Sequence, residues 1–389
     1  MARRAGGRDA GALACVLGDV DLVRALGLGG IACVPVVGRR DPARYSRHAV
    51  GTVEPLDHWA QAGELVDRLV AWAGEQPSRP VLYYQTDGDL LMVSRHRERL
   101  AEALDFAIAE ADLVEALVDK ARFARLAGEL GLSVPPSAVL RTGEPPNAAA
   151  GLRFPLILKP LLRRDLGRLD TAAKAVAVDS ERALREQWAR WEQPGVEVLA
   201  QELVPGPETR IESHHAYVDA GGRVIAEFTG VKLRTRPREY GHTCALAITD
   251  EPEVARAGRE VLEAIGLRGI AKVDFKRTAA GGLALLEVNP RFNLWHHPGA
   301  AAGINLPALV HADLTGARRP PVARRARPVR WCTVREDRRA SREAGVPTRR
   351  WLGFALRSET RSGADWGDPS PLLRGVVLPL AFRKLGRPR

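Results

Sequence analysis

Residues 269–276 read GIAKVDFK and residues 282–291 read GLALLEVNPR, with a Gly-rich turn at 279–282 between them. Two short β-rich runs around such a turn predict a β-hairpin. Successive side chains of a strand point to opposite faces, so Lys272 and Asp274 share a face, as do Glu287 and Asn289. Pairing the strands brings two carboxylates and an amide oxygen together beside a lysine, with Arg291 just beyond. Magnesium takes oxygen ligands, keeps some water, and bridges substrate phosphates through one or two carboxylates. Asp274, Glu287 and Asn289 meet that requirement. The rival reading is a surface hairpin of solvated charges, which the apolar residues interleaved on both strands argue against.

Upstream of the hairpin, residues 251–265 have helical spacing, and 210–218 with 223–228 flank the turn Asp219-Ala220-Gly221-Gly222, a second hairpin. Residues 196–204 read as a strand ending at Pro205-Gly206-Pro207. Residues 180–191 form an amphipathic helix with Ser180 as N-cap. Residues 154–159 (FPLILK) are a strand ending in a lysine, followed by a charged connection at 165–170. Residues 143–151 are a loop. A helix over 120–130 ends at Gly131, and Pro135-Pro136 forbids its continuation. Before it, strand signals at 12–17, 31–37 and 80–85 alternate with helical ones at 22–26 and 94–109, the pattern of a parallel sheet with helices on its faces. Gly27-x-Gly29-x-x-Ala32 follows a helix and precedes a strand, so it is a turn and not a dinucleotide fingerprint. The expected fold class is therefore α/β joined to α+β. Four consecutive parts are expected: 1–115, 116–198, 199–316 and 317–389.

The 389 residues suffice for two or three domains, and 45% hydrophobic with 27% charged residues excludes wholesale disorder. No apolar run approaches the roughly 18–20 residues that span a bilayer. The apolar stretch 10–18 is followed by Asp19 and Asp21 and reads as a first strand, not a signal peptide. Four scattered cysteines without a Cys-x-x-Cys suggest a reduced, cytoplasmic protein with no zinc site. The net charge of +11 is uneven: residues 317–389 carry 19 basic and 6 acidic groups, against 39 and 41 in the first 316. A basic tail suits an anionic partner such as a membrane surface, nucleic acid or a phosphorylated substrate. Only seven of 58 basic residues are lysine (Lys120, Lys159, Lys174, Lys232, Lys272, Lys276, Lys384). Lysine is a compact point charge that fits among phosphates where arginine is a wide fork.

With these motifs the chain resembles the ATP-grasp ligases over residues 117–316, with a narrower likeness to predicted ATP-dependent carboligases related to D-aspartate ligase. The resemblance implies an ATP-grasp fold in which 1–115 is a parallel-sheet pre-ATP-grasp domain, 116–198 a small lid and 199–316 the α+β subdomain. It implies ATP and magnesium, or manganese, as cofactors. Lys120 resembles the first nucleotide-binding lysine and Lys159 the one that reaches the α- and β-phosphates. Gln201, Glu202 and Val204 resemble the hinge that holds adenine, and Glu208 the residue for the ribose hydroxyls. Lys232 matches a lysine near the γ-phosphate. Asp274, Glu287 and Asn289 match the metal ligands, and Arg291 and Lys272 the cations that stabilise the reacting phosphoryl and acyl groups.

The implied activity is an ADP-forming ligase joining a carboxylate to an amine, with an amino acid among its substrates, through an acyl phosphate. A phosphotransferase, or a ligase with another nucleophile, is the alternative enzyme. A nucleic-acid-binding protein led by the basic tail is the rival from another class, and it leaves the metal constellation unexplained while offering few stacking aromatics. Gly167 and Gly241-His242-Thr243 fall in connections that could close over phosphates. His296 and His297 fill the region that contacts the acceptor in such enzymes; substrate contact and packing stand as alternatives. His214 and His215 face opposite sides of a strand and read as structural. The apolar stretch 372–382 either docks on the body, the favoured reading, or lies on an anionic membrane, which would make the protein peripheral. The oligomeric state stays open, a homodimer among the options.

Overall fold

The computed structural model describes residues 11–161, 169, 175–191 and 193–377. Apart from Leu169, the connection 165–170 with Gly167 lies outside the described residues, as do Lys174, residues 378–382 of the apolar tail stretch, and Lys384. The chain divides into two compact units. One holds the described residues up to Ile108, Arg291–Arg324 and those from Ser362 onward; the other holds Ala109–Pro290 and Arg325–Arg361. Each unit is thus assembled from separated pieces of chain, where the sequence suggests four consecutive ones.

In the first unit β1 (Ala14–Leu17), α1 (Val20–Leu28), β2 (Cys33–Pro35), α2 (Ala62–Gly74), β3 (Val81–Tyr84), α3 (Asp87–Arg95) and α4 (Arg97–Leu100) follow in order. Parallel pairing gives the strand order β2-β1-β3. Asp19 caps α1 by accepting the amides of Asp21 and Leu22. Gly29 and Gly30 end that helix, confirming a turn at the glycine motif. The helix expected over 94–109 is displaced. A capping box between Thr86 and Asp89 starts α3 at Asp87. Residues 101–110 are not helical, because Asp105 returns to the sheet, its carbonyl accepting from the Leu82 amide at 2.8 Å.

The second unit opens with α5 (Ala111–Val118) and α6 (Lys120–Glu129). Asp119 caps α6, and Gly131 (φ +65°) ends it in the left-handed region that glycine enters freely. A small antiparallel sheet follows from β4 (Ser137–Arg141), β5 (Leu156–Pro160), β6 (Val176–Val178) and, after α7 (Glu181–Arg190), β7 (Glu197–Glu202), in the order β4-β7-β5-β6. Leu156, Leu158, Val198, Ala200, Leu184 and Trp191 bury its apolar face. The expected boundary at 198/199 falls inside β7, which pairs on both sides within this sheet.

The large sheet is built from β8 (Ile211–Val218), β9 (Val224–Arg236), β10 (His242–Thr249), β11 (Gly269–Arg277) and β12 (Leu283–Asn289), with α8 (Pro252–Ala264) packed on one face. Of Gly241-His242-Thr243, expected in a connection, Gly241 lies in the turn before β10, while His242 and Thr243 begin that strand, where His242 pairs with Arg236. A Cβ at Gly241 would stand 2.0 Å from the Pro237 carbonyl oxygen, so only glycine fits that turn.

Beyond the hairpin, α9 (His296–Ala301) and α10 (Leu306–Thr315) belong to the first unit. Then β13 (Val329–Thr333), α11 (Val334–Glu343), α12 (Thr348–Arg357) and β14 (Thr360–Ser362) complete the large sheet in the order β12-β11-β8-β9-β10-β13-β14. Residues 317–389 are therefore no simple extension. Trp331 and Cys332 on β13 are buried against β10, and Asp337 is buried with Arg234 and the Trp351 indole. Ser370–Leu372, labelled α13, and the turn Leu373–Val377 pack on the first unit, where Gly375 lies against Pro42. Leu373 and Val377 of the described part of the apolar stretch are nonetheless exposed. Among the described residues, no helix is long and apolar enough to cross a membrane, and all four cysteines are free and buried.

Candidate active site

The site begins with the register of the β11–β12 hairpin. Lys272 stands opposite Asn289, and Asp274 opposite Glu287. Between Asp274 and Phe275 the register shifts by one residue, a bulge that lets both Leu285 and Val288 face the apolar core. Ala271, Val273 and Phe275 occupy that core against Val254, Val261 and Leu262 of α8. The intervening Lys272, Asp274 and Lys276 are thereby driven to the other face. Ser213 of β8 pairs with Asp274 on the same face, and its hydroxyl donates to the carboxylate.

Charge on this face is dense and poorly hydrated. Asp274 is 1% exposed, and the Lys272 Nζ lies 2.6 Å from its Oδ2. Burial alone would raise the carboxyl pKa, but Lys272 and Lys232 hold it well below the usual carboxylate range. Burial pushes the Lys272 amine down, against the pull of Asp274. Lys276, also buried, is pushed down in the same way and stands 4.0 Å from Glu208. Glu287 is exposed, with Asn289 Nδ2 donating to its Oε1 at 3.1 Å.

The small sheet contributes Lys159, whose Nζ donates to Gln201 Oε1 at 3.0 Å across the β5–β7 pair. Burial lowers the Lys159 amine to about 8, while Glu287 and Glu208 pull it up and Lys120 and Lys276 push it further down. Charges of both sheets thus act on one lysine. Lys120 donates to the carbonyls of Pro160 (3.0 Å) and Leu161 (2.8 Å) at the end of β5.

Residues 196–336 match the family model described as ATP-grasp in the biosynthetic pathway with Ter operon. The fold agrees with that of the ADP complex of purK, N5-carboxyaminoimidazole ribonucleotide synthetase, at a TM-score of 0.64 over 86% of each chain and 14% identity. The chain has the ATP-grasp fold. It is 30% identical over 208 residues to D-alanine--D-alanine ligase of Stutzerimonas stutzeri, spanning 50% of this chain and 63%, under two thirds, of that protein. To D-aspartate ligase of Enterococcus faecium it is 23% identical over 339 residues, 83% of this chain and 78% of that one.

Within the ATP-grasp unit the structure brings together Lys120, Lys159, Gln201, Glu208, Lys232, Lys272, Asp274, Glu287 and Asn289 by contact or by electrostatic influence. Glu202 departs from this set. As the neighbour of Gln201 on a strand it points to the opposite face, where it accepts from the Arg153 guanidinium at 3.0 Å. Its side chain is therefore not beside Lys159, and its amide donates to the Pro136 carbonyl at 2.8 Å. Val204 follows β7 and is half-buried.

Arg291, His296 and His297 belong to the first unit. The Arg291 guanidinium is held by Asp87 at 2.5 Å and by the Gln85 carbonyl at 3.0 Å. His296 is fully buried and in edge contact with Phe292, and burial pushes it down to about 3. His297 is 3% exposed, with Nδ1 2.9 Å from Asp21. Such burial supports the packing alternative over substrate contact for both. His214 pairs with Glu227 and His215 stacks on Phe228, the structural roles expected.

Two residues of the ATP-grasp face escaped sequence reading. Lys276 had a signal, since Lys272, Asp274 and Lys276 continue one alternation. Ser213 had none, because only strand register places it against Asp274.

Proposed function

We propose that this ATP-grasp chain is an ADP-forming carboxylate–amine ligase acting on an amino acid. The observation that carries the reading is the Asp274–Glu287 pair, opposed on one sheet face and ringed by Lys159, Lys232, Lys272 and Lys276. Phosphoryl transfer needs charge neutralised and groups held in line more than covalent help from the protein. Lys120 and Lys159 would bind the α- and β-phosphates, and Lys232 the γ-phosphate. Gln201, with the backbone of Glu202 and Val204, would hold adenine, and Glu208 the ribose hydroxyls beside Lys276. Two carboxylates and an amide oxygen on one face fit magnesium, or manganese, so Asp274, Glu287 and Asn289 would hold it. When bound, such an ion neutralises phosphate charge. Lys272 and Arg291 would stabilise charge on the reacting phosphoryl and acyl groups.

In the first step a substrate carboxylate oxygen attacks the γ-phosphorus of ATP, and ADP leaves with the bond electrons. In the second the neutral amine attacks the acyl carbon, phosphate departs with the carboxylate oxygen, and the amine proton is lost to give the amide. The names of both curated relatives, each an amino-acid ligase, favour this chemistry. The test uses a carboxylate panel labelled with ¹⁸O, paired with amino acids. Amine-dependent ADP release, a new amide by mass spectrometry and one ¹⁸O in the released phosphate are expected. ADP formation without the label in phosphate would overturn the acyl-phosphate route, and no turnover with any pair would overturn the ligase.

A further inference from the structure

One ion pair on the lysine-rich face does not close. The side chains of Lys276 and Glu208 are 6% and 13% exposed, yet Nζ stands 4.0 Å from Oε1. That is beyond the roughly 2.7–3.2 Å of a nitrogen–oxygen hydrogen bond. Neighbouring pairs do close. Lys272 reaches Asp274 at 2.6 Å, and Arg277 holds both oxygens of Glu212 at 2.7 and 2.8 Å. Among the described residues, neither the Lys276 ammonium nor the Glu208 carboxylate has a hydrogen bond. Buried charges in that condition are costly until a further group completes them.

The fold sets the gap from both sides. Lys276 stands on β11 opposite Ile211 of β8 and Ala284 of β12, so two ladders fix its backbone. Glu208 opens the short turn Glu208–Arg210, entered through Pro207 and leading directly into β8. Pairing of β8 with β11 therefore determines how far apart the two charges stand.

The chemistry of the gap is selective. An ammonium only donates, and an ionised carboxylate only accepts. One atom shared between them must accept from the first and donate to the second. A hydroxyl does both, whereas an ionised phosphate oxygen has no hydrogen to donate.

We propose that Lys276 is a specificity-determining residue for the nucleotide: with Glu208 it forms a two-sided receptor for one ribose hydroxyl and so selects ATP over its deoxy analogues. The assignment rests on the ATP site of the proposed ligase and gives Lys276 a role separate from neutralising phosphate. A site built to hydrogen-bond a hydroxyl rejects the analogue lacking it strongly, because its buried polar groups are then left unpaired.

Calorimetric binding of ATP, 2′-deoxyATP and 3′-deoxyATP to the full chain with magnesium tests it. The wild-type chain should bind one deoxy analogue about tenfold or more weakly than ATP. In Lys276→Met, which keeps an apolar stem without the ammonium, ATP should lose about tenfold while that analogue changes by less than about threefold. Lys276→Gln, which keeps an N–H donor without the charge, should fall between the two, and it carries the test where Lys276→Met does not fold by circular dichroism. Discrimination is a ratio within one variant, so partial unfolding cancels from it. Equal weakening of all three nucleotides in the variants would make Lys276 a phosphate or adenine contact and overturn the proposal. Wild-type indifference to both hydroxyls would overturn it as well. Failure of the wild-type chain to bind ATP would remove the ligase reading along with it, whereas ATP binding with unchanged discrimination in the variants removes this inference alone.

Discussion

Asp274 and Glu287 face each other directly across β11 and β12, two carboxylates where cross-strand pairs normally avoid like charge. Lys272 relieves one side of the opposition at 2.6 Å, while Glu287 projects toward solvent. A fold that keeps such a pair gives up local stability for a concentration of negative oxygen.

Replacing Glu287 by glutamine should therefore have opposite effects on stability and turnover. Removing the like-charge opposition should leave stability unchanged or raise it by about 0.2–1 kcal/mol. Metal-dependent ATP turnover should drop by roughly a hundredfold or more. Urea unfolding alongside a coupled ADP assay checks both, and unchanged kinetics would remove Glu287 from the site.

Lys159 gives a pH dependence. Burial brings its amine to about 8 from 10.5 in the free protein, whereas adjacent phosphates would keep it protonated. ATP affinity should be flat below pH 8 and fall above it, by about tenfold per pH unit at most. In Lys159→Ala affinity should be lower at pH 7, and this decline should be absent. Equilibrium binding of ATP between pH 6.5 and 9.5 reads both effects; a normal affinity in the variant would make Lys159 a mere strand end.

For Arg291→Ala the expected change is in kcat, by about a hundredfold, with KM for ATP little altered. The residue is assigned to charge that develops as the phosphoryl group moves, not to ground-state phosphates. Steady-state kinetics decide, and a rise in KM alone would reassign it. Asp87→Ala, which frees the guanidinium, separates positioning from charge, because it should perturb kcat less than loss of Arg291 itself.

Asp368 should be a stability determinant. It accepts from Arg24 Nε at 3.2 Å, the Ser46 hydroxyl at 2.7 Å and the Arg47 amide at 2.9 Å, with both charges 2% exposed. Asp368→Ala removes the buried carboxylate that pairs with Arg24 and should cost about 3 kcal/mol in urea unfolding. Pairing Asp368→Leu with Arg24→Met should recover most of that loss, and additive losses in the double variant would contradict the pair.

Much of this protein was legible from local order alone. Alternation in Lys272-Val273-Asp274 and Glu287-Val288-Asn289 predicts which side chains share a face, and the paired register agrees. Ser180 and Gly131 mark helix ends because capping is satisfied within a few residues. The helix expected over 94–109 shows the limit of periodicity: the spacing continues past His96, but Asp105 finds a better partner in β3.

What only tertiary structure decided are relations between distant residues. Glu202 and Gln201 are adjacent in sequence, yet pairing of β7 with β5 sends one to Arg153 and the other to Lys159. The basic segment after 317 gives no sign of completing a sheet, but β13 pairs with β10 and buries Trp331. For His296 and His297 the sequence leaves substrate contact and packing as alternatives, and only packing against Phe292 and Asp21 buries them. The physical reason is common to all three. Periodicity and capping act over one or two turns of chain, whereas burial and charge pairing depend on which remote surface arrives, and that is settled only when the whole core forms.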